Sequence, residues 1–178
     1  MLPIYPSLRI GGNPWEQSNS AYFPIKVSEI QSATFQVAYD YPAAPTGAFD
    51  LAYDMFFMDT NKPSPNPEIK AEIMIWLQGT IGQPPQTYKE DFTDGHNTYE
   101  LYSYVMSCGR LYYAFIMKGQ PQFQAQHAVD VKKLLDNLDL DPNWYIPGVE
   151  LGSEVVNGSG KIEISKFSVN VNGSVIEQ

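Results

Sequence analysis

One cysteine and two histidines in 178 residues leave few routes to thiol, disulfide or metal chemistry. A single thiol excludes an intramolecular disulfide. Cys108 stands near the apolar residues around Val105, where a small buried residue in a strand is expected. His96 falls in a turn and His127 in a stretch of helical spacing. Both are expected at the surface and too isolated to suggest a metal, so no metal or cofactor is expected. Charge is scarce too: charged residues make up 17%, and 11 Lys+Arg face 20 Asp+Glu, for a net charge of −9. Nothing in such a chain would neutralise phosphates, which argues against a nucleic-acid partner. The balance suits an extracellular protein acting on a neutral substrate. No apolar run approaches the length of a membrane span, so no membrane partner is expected. The opening "MLPIYPSLRIGG" lacks the apolar core of a secretory leader.

What the chain does have is aromatics (12 Tyr, 9 Phe, 3 Trp) and turn residues (14 Pro, 13 Gly) between short alternating runs. At 178 residues and 20.0 kDa it fits one domain, residues 1–178. There is no repeat, low-complexity tract or linker. Strands are predicted over 23–30, 33–41, 48–58, 72–78, 87–92, 99–106, 110–118, 143–155 and 160–171. Gly, Pro, Asn and Asp fill the gaps. The stretch 123–138 departs from this rhythm. Its Ala128, Val131, Leu134, Leu135 and Leu138 are spaced as on a helix. The fold class is therefore all-β, a two-sheet antiparallel sandwich with one helix packed outside. The Asn-Gly-Ser triplets at 157–159 and 172–174 are read as turn signals.

Three acidic residues stand out. In "AEIMIWLQGT" (71–80), Ile73, Ile75 and Leu77 point one way, and Glu72, Met74 and Trp76 the other. In "LAYDMFF", Asp54 shares a face with Ala52 and Phe56, while Leu51, Tyr53, Met55 and Phe57 take the opposite one. Glu154 follows a Gly-Ser step. A carboxylate among aromatics is costly unless paired, and it is also where a raised pKa becomes available. Two such groups flanked by flat rings are glycosidase equipment. A sandwich also carries solvated strand Glu residues, and Glu100, Glu150 and Glu163 are read that way. Spacing alone does not bring the three carboxylates together.

"AYDMFF" (52–57), "EIMIWL" (72–77) and "GSEV" (152–155), in that order, resemble the signature segments of glycoside hydrolase family 12. "FPIKVSEI", "YPSLRIGGNPW" (5–15) and "FSVNVNG" are similar to further family segments. The resemblance implies a β-jelly-roll of two curved sheets, with a cleft on the concave face and one helix on the convex side. It implies a retaining endo-β-1,4-glucanase acting on cellulose, mixed-linkage β-glucan or xyloglucan. By the same resemblance, Glu72 is the nucleophile, Glu154 the acid/base, and Asp54 the residue beside the nucleophile. Trp15, Met74 and Trp76 become substrate-binding residues. Val156 stands where an aromatic is common in the family, next to the cleavage point. Secretion is expected because a glucan polymer cannot enter a cell. The loop "QGTIGQPPQ" (78–86) would border the cleft. Family members carry further strands before the segment matching Tyr5–Trp15, whereas this chain starts almost at it. Exposed sheet edges are then expected, and with them a monomer or an edge-paired dimer. The alternative is a non-catalytic carbohydrate-binding or inactive truncated sandwich, which would use the aromatics without the carboxylate pair.

Overall fold

The computed structural model describes residues 5–81, 87–119 and 122–178. Among them, ten strands form one sheet and four another. The larger sheet runs in the order β1 (Ser7–Gly11), β11 (Gly148–Gly152), β4 (Thr46–Met58), β5 (Ile69–Gly79), β8 (Leu111–Met117), β7 (Thr98–Val105), β6 (Thr87–Thr93). Off this path, β10 (Tyr145–Ile146) pairs with β2 (Ile25–Lys26) and β4, and β12 (Val155–Ser159) pairs with β4. The smaller sheet is β14 (Ser174–Glu177), β13 (Glu163–Val171), β3 (Ala33–Asp40), β9 (Gln124–Asp130). One short helix, α1 (Val131–Asp136), follows β9. The fold is an all-β sandwich, as the alternation predicts, and a jelly-roll, as the resemblance implies. The pairing of β5 with β8 is parallel, the exception among antiparallel neighbours.

The two-residue rhythm decides which side chains meet. Leu51, Tyr53, Met55 and Phe57 of β4 and Ile73, Ile75 and Leu77 of β5 point into the sandwich. There they share one core with Phe35 and Val37 of β3 and Phe167 and Val169 of β13. Tyr53 meets Phe35 and Phe167 edge-on or tilted, with ring centres 5.3 and 6.1 Å apart. Burying each such side chain stabilises the fold by roughly 1.5–3 kcal/mol. The intervening residues Ala52, Met74 and Trp76 pack instead on the outer face of the larger sheet, with Tyr102, Tyr112 and Ala114. That outer face carries the candidate site.

Three predicted elements are corrected. Residues 123–138 are half strand and half helix. Gln124–Asp130 pairs with β3, and Ala125, His127 and Val129 alternate inward along it. The helix starts only where the Asp130 carboxylate accepts the Lys133 N–H at 3.3 Å. Its Val131, Leu134 and Leu135 then join the core, which explains the helical spacing. His127 is thus half-buried on a strand, with Nε2 3.4 Å from the Tyr39 hydroxyl. Residues 23–30 keep only β2 as strand. After it the chain turns through a 3-10 helix, Val27–Glu29. The Val27 and Ser28 N–H groups bond Trp144 O and Pro142 O at 2.9 and 3.0 Å, which draws them out of the ladder. Residues 143–155 divide into β10, β11 and the start of β12. Cys108 is also corrected: it is exposed, in the β7–β8 turn rather than buried in a strand. At 172–173 the turn reading is right, since Asn172 and Gly173 both have positive φ (52° and 82°) between β13 and β14.

Candidate active site

The order β11-β4-β5 lays three carboxylates side by side. Asp54, in the middle strand, pairs with Glu150 on one flank and Met74 on the other. Phe56, two residues on, pairs with Glu72. Glu72 therefore lies diagonally across from Asp54, on the same face. Side chains directly opposite in such a ladder have Cβ atoms about 4.5–5.5 Å apart, and diagonal neighbours about 7–8 Å. The fourth carboxylate arrives differently. After Gly152 the chain leaves β11, and Asp50 of β4 grips the backbone that follows. Asp50 Oδ1 accepts the Glu154 N–H at 2.7 Å, Glu154 O accepts the Asp50 N–H at 3.1 Å, and Ser153 Oγ donates to Asp50 O at 2.5 Å. These bonds fix Glu154 over the sheet.

The result is an open recess of about 310 Å³ containing Asp54, Glu72, Glu150 and Glu154. Its remaining wall is Tyr5, Asn13, Trp15, Phe56 and Met74. Trp15 is half exposed and meets Phe56 edge-on, with ring centres 5.7 Å apart. Tyr5 donates its hydroxyl to Ala52 O at 3.1 Å. A Cβ at Gly152 would come within 2.7 Å of the Tyr5 ring, so glycine there is what admits the ring. Met74 Sδ accepts the Tyr112 hydroxyl at 3.0 Å.

Burial sets the electrostatics. It pushes the Asp54 carboxyl well above the usual carboxylate range; the charges of Glu72, Glu150 and Asp50 add to the rise, and Arg110 opposes it. Burial raises Glu72 as well; the Arg110 guanidinium draws it back down, and Glu154 pushes it up. Burial also raises Glu154. Asp50, with no exposed surface, is pushed up to about 7 by burial, opposed by the Glu154 N–H and reinforced by the Glu154 charge. Asp54 Oδ1 and Asp50 Oδ2 are buried and have no hydrogen-bond partner among the described residues. One site thus holds two carboxyls that burial raises, Glu72 paired with the Arg110 cation and Glu154 held through its backbone. That is the pairing a nucleophile and a proton donor require.

Of the residues singled out from the sequence, Glu72, Glu154, Asp54, Trp15 and Met74 line this recess. Trp76 is 5% exposed and lines a neighbouring recess of about 270 Å³ with Gln78, Ile116 and Lys118. Val156 lies outside both recesses and is 51% exposed. Residues 82–86 of the loop expected to border the cleft lie outside the described residues. Glu150 is corrected from a solvated strand residue to a wall residue. Its side chain is 14% exposed, 3.8 Å from Arg9 Nη1, and accepts from Ser7 Oγ at 3.1 Å and Asn13 Nδ2 at 3.3 Å. Asp50, Tyr5, Phe56 and Arg110 were not singled out. Asp50 carried a signal, being an Asp in the same aromatic strand as Asp54 and four residues before it. Arg110 carried none, because its place follows from the parallel β5–β8 register.

Comparison with known proteins points to one family. Residues 4–172 match the model of glycosyl hydrolase family 12. The chain is 28% identical over 181 residues to Endoglucanase S of Pectobacterium parmentieri, covering 96% of this chain and 66% of that protein. It superposes on a family 12 xyloglucanase from Bacillus licheniformis, solved with a ligand, with a TM-score of 0.85 and 26% identity. That match covers 97% of this chain and 76% of the other. An endoglucanase from Rhodothermus marinus shares the fold, with a TM-score of 0.82 at 22% identity, over 100% of this chain and 76% of the other. With segments, fold and family model in agreement over residues 4–172, the chain belongs to glycosyl hydrolase family 12.

Proposed function

We propose that this protein is a secreted, endo-acting glycoside hydrolase that cleaves β-1,4-glucans with retention of configuration. Its substrate class is cellulose, mixed-linkage β-glucan or xyloglucan. The observation that carries this reading is the convergence of Glu72 and Glu154 in one open recess, each in the electrostatic setting its role needs. In the first step Glu72 attacks the anomeric carbon and forms a covalent glycosyl-enzyme, while Glu154 protonates the departing glycosidic oxygen. In the second step Glu154 takes a proton from water, and the hydroxyl displaces Glu72 with a second inversion. Asp54, beside Glu72 and kept neutral by burial and by its acidic neighbours, adds no second charge against the attacking group. Trp15 offers a flat, half-exposed face to the apolar side of a sugar ring. A recess open to solvent admits the interior of a polymer chain, which suits endo action. The names of the relatives, endoglucanase and xyloglucanase, point to the same substrate class.

The test is reducing-sugar release from carboxymethylcellulose, mixed-linkage β-glucan and xyloglucan, with wild type beside Glu72→Ala. Release by the wild type and none by the variant is expected. A folded wild type that releases nothing from any of the three overturns the reading.

A further inference from the structure

Arg110 is the one cation within ion-pair distance of Glu72 among the described residues. It closes the β7–β8 turn, where Met106 N–H bonds Arg110 O and Gly109 N–H bonds Met106 O, both at 2.8 Å. Gly109 takes a positive φ of 86°, which sharpens that turn. In the parallel β5–β8 register Glu72 pairs with Tyr112, so Arg110, two residues earlier, points to the same face one step off Glu72. Two contacts hold its side chain. Nε donates to Met106 Sδ at 3.0 Å, and Nη2 lies 3.2 Å from Glu72 Oε2. The Arg110 side chain is 23% exposed and the Glu72 side chain 14%, so the pair is largely withdrawn from water. The other groups facing Glu72 are Asp54 from β4, Glu154 from the β11–β12 connection and the Tyr112 hydroxyl from β8. None of these is a cation. Arg9 lies on the far flank, committed to Glu16 and Glu150.

A nucleophilic carboxylate must be ionised and aimed. We infer that Arg110 is a positioning residue: by clamping Oε2 it keeps Glu72 charged and turned so that Oε1 is the attacking oxygen. An arginine suits this task because it stays protonated at any working pH and holds its donors in a rigid plane. The Met106 sulfur and the tight turn pre-set that plane before substrate enters. The charge can act strongly because the pair is sheltered from water. This inference rests on Glu72 being the nucleophile of the proposed function.

Two measurements separate the inference from that reading. The first is the pH dependence of kcat/KM for wild type, Arg110→Met and Arg110→Lys, with thermal unfolding measured alongside. Removing the cation raises the pH at which Glu72 ionises, so the acid limb of Arg110→Met moves to higher pH. Each unit of displacement costs about tenfold in kcat/KM on that limb. The alkaline limb stays in place, and Arg110→Lys recovers part of the shift. A purely structural role would lower Tm and activity without moving the limb. The second is a 13C-carboxyl NMR titration of Glu72 in wild type and Arg110→Met, which needs no turnover. A Glu72 midpoint that rises in the variant supports the inference. An unmoved midpoint and acid limb in folded Arg110→Met overturn it. A folded wild type that hydrolyses no glucan overturns the functional reading and Arg110's role in hydrolysis with it, whatever the titration gives.

Discussion

Two aspartates without exposed surface, Asp94 and Asp50, show how the same side chain is put to opposite uses. Asp94 sits in the β6–β7 turn and is surrounded by donors. Its Oδ1 accepts the His96 and Asn97 N–H groups at 2.8 and 2.7 Å, and its Oδ2 accepts the Asp130 N–H at 3.0 Å and the Tyr99 hydroxyl at 3.1 Å. Burial would raise its pKa, yet these bonds together overrule burial and hold the carboxyl below the usual range. Asp50 accepts one backbone N–H, has an unpartnered Oδ2 among the described residues, and is pushed up to about 7. Asp54 is raised as well, by burial first, with the charges of Glu72, Glu150 and Asp50 adding to it. Asp94 ties the turn to the β9–α1 junction. Asp50 and Asp54 weaken the fold when they ionise. Neither carboxyl has exposed surface, but Asp94 meets four donors and Asp50 one, and Asp50 also lies deeper in the fold.

This comparison can be broken by experiment. The largest effect belongs to the cleft's chemistry. Glu72→Ala removes the proposed attacking group and is expected to lower kcat by about 10⁴-fold or more. Glu154→Gln is expected to cost about 10²–10⁴-fold. Both should unfold at or above the wild-type temperature, since each removes a charge that burial penalises. Reducing-sugar assays beside thermal unfolding check this pair of outcomes.

Next come the two aspartates, where the signs are expected to oppose. Asp94→Asn turns an acceptor into a donor facing N–H groups and should destabilise by about 3 kcal/mol or more at pH 7. Asp50→Asn keeps the acceptor for Glu154 and removes the penalised charge. It should stabilise by about 1 kcal/mol at pH 7, after the cost of a buried amide donor. Urea unfolding of both variants decides it, and a loss in Asp50→Asn would break the contrast.

The pH dependence follows from the same shifts. Asp94 has a lowered folded pKa, so its stabilisation is present above the unfolded value and is lost as pH falls through the folded one. Asp50 has a raised folded pKa. Its cost appears as pH rises above the unfolded value of 3.8 and is complete by about 7. Wild type should therefore lose stability between about pH 4 and 7 relative to Asp50→Asn, and the two curves should run parallel above pH 7. Unfolding free energies across that range test it.

The smallest effect is expected at the rim. Trp15→Ala should raise KM a few-fold, about 1 kcal/mol of lost stacking, with kcat less affected. Steady-state kinetics on a soluble glucan reads it.

How far the sequence foretold all this depends on whether a feature is local. The rhythm of residues 71–78 put Ile73, Ile75 and Leu77 in the core and Glu72, Met74 and Trp76 on the other face, and the structure agrees. The same holds for the two faces of β4. The helical spacing of 123–138 misled because Ala128, counted with Val131, Leu134 and Leu135, belongs to β9, while the other three lie on the helix. Asp130, an N-cap, was the overlooked boundary mark. Glu150 could not be told from Glu100 or Glu163, because only the β11–β4 register sets it opposite Asp54. Arg110 reaches Glu72 across a parallel pairing that joins residues 40 apart in the chain (Glu72 with Tyr112), and no local pattern announces that contact.

In the proposed double displacement Glu72 is the nucleophile and Glu154 the acid/base. The most direct measurement is the anomeric proton spectrum during hydrolysis of a β-1,4-glucan oligosaccharide, taken before mutarotation. The account predicts that the β-anomer of the new reducing end appears first and equilibrates later. Initial appearance of the α-anomer would mean single displacement by water and would contradict it.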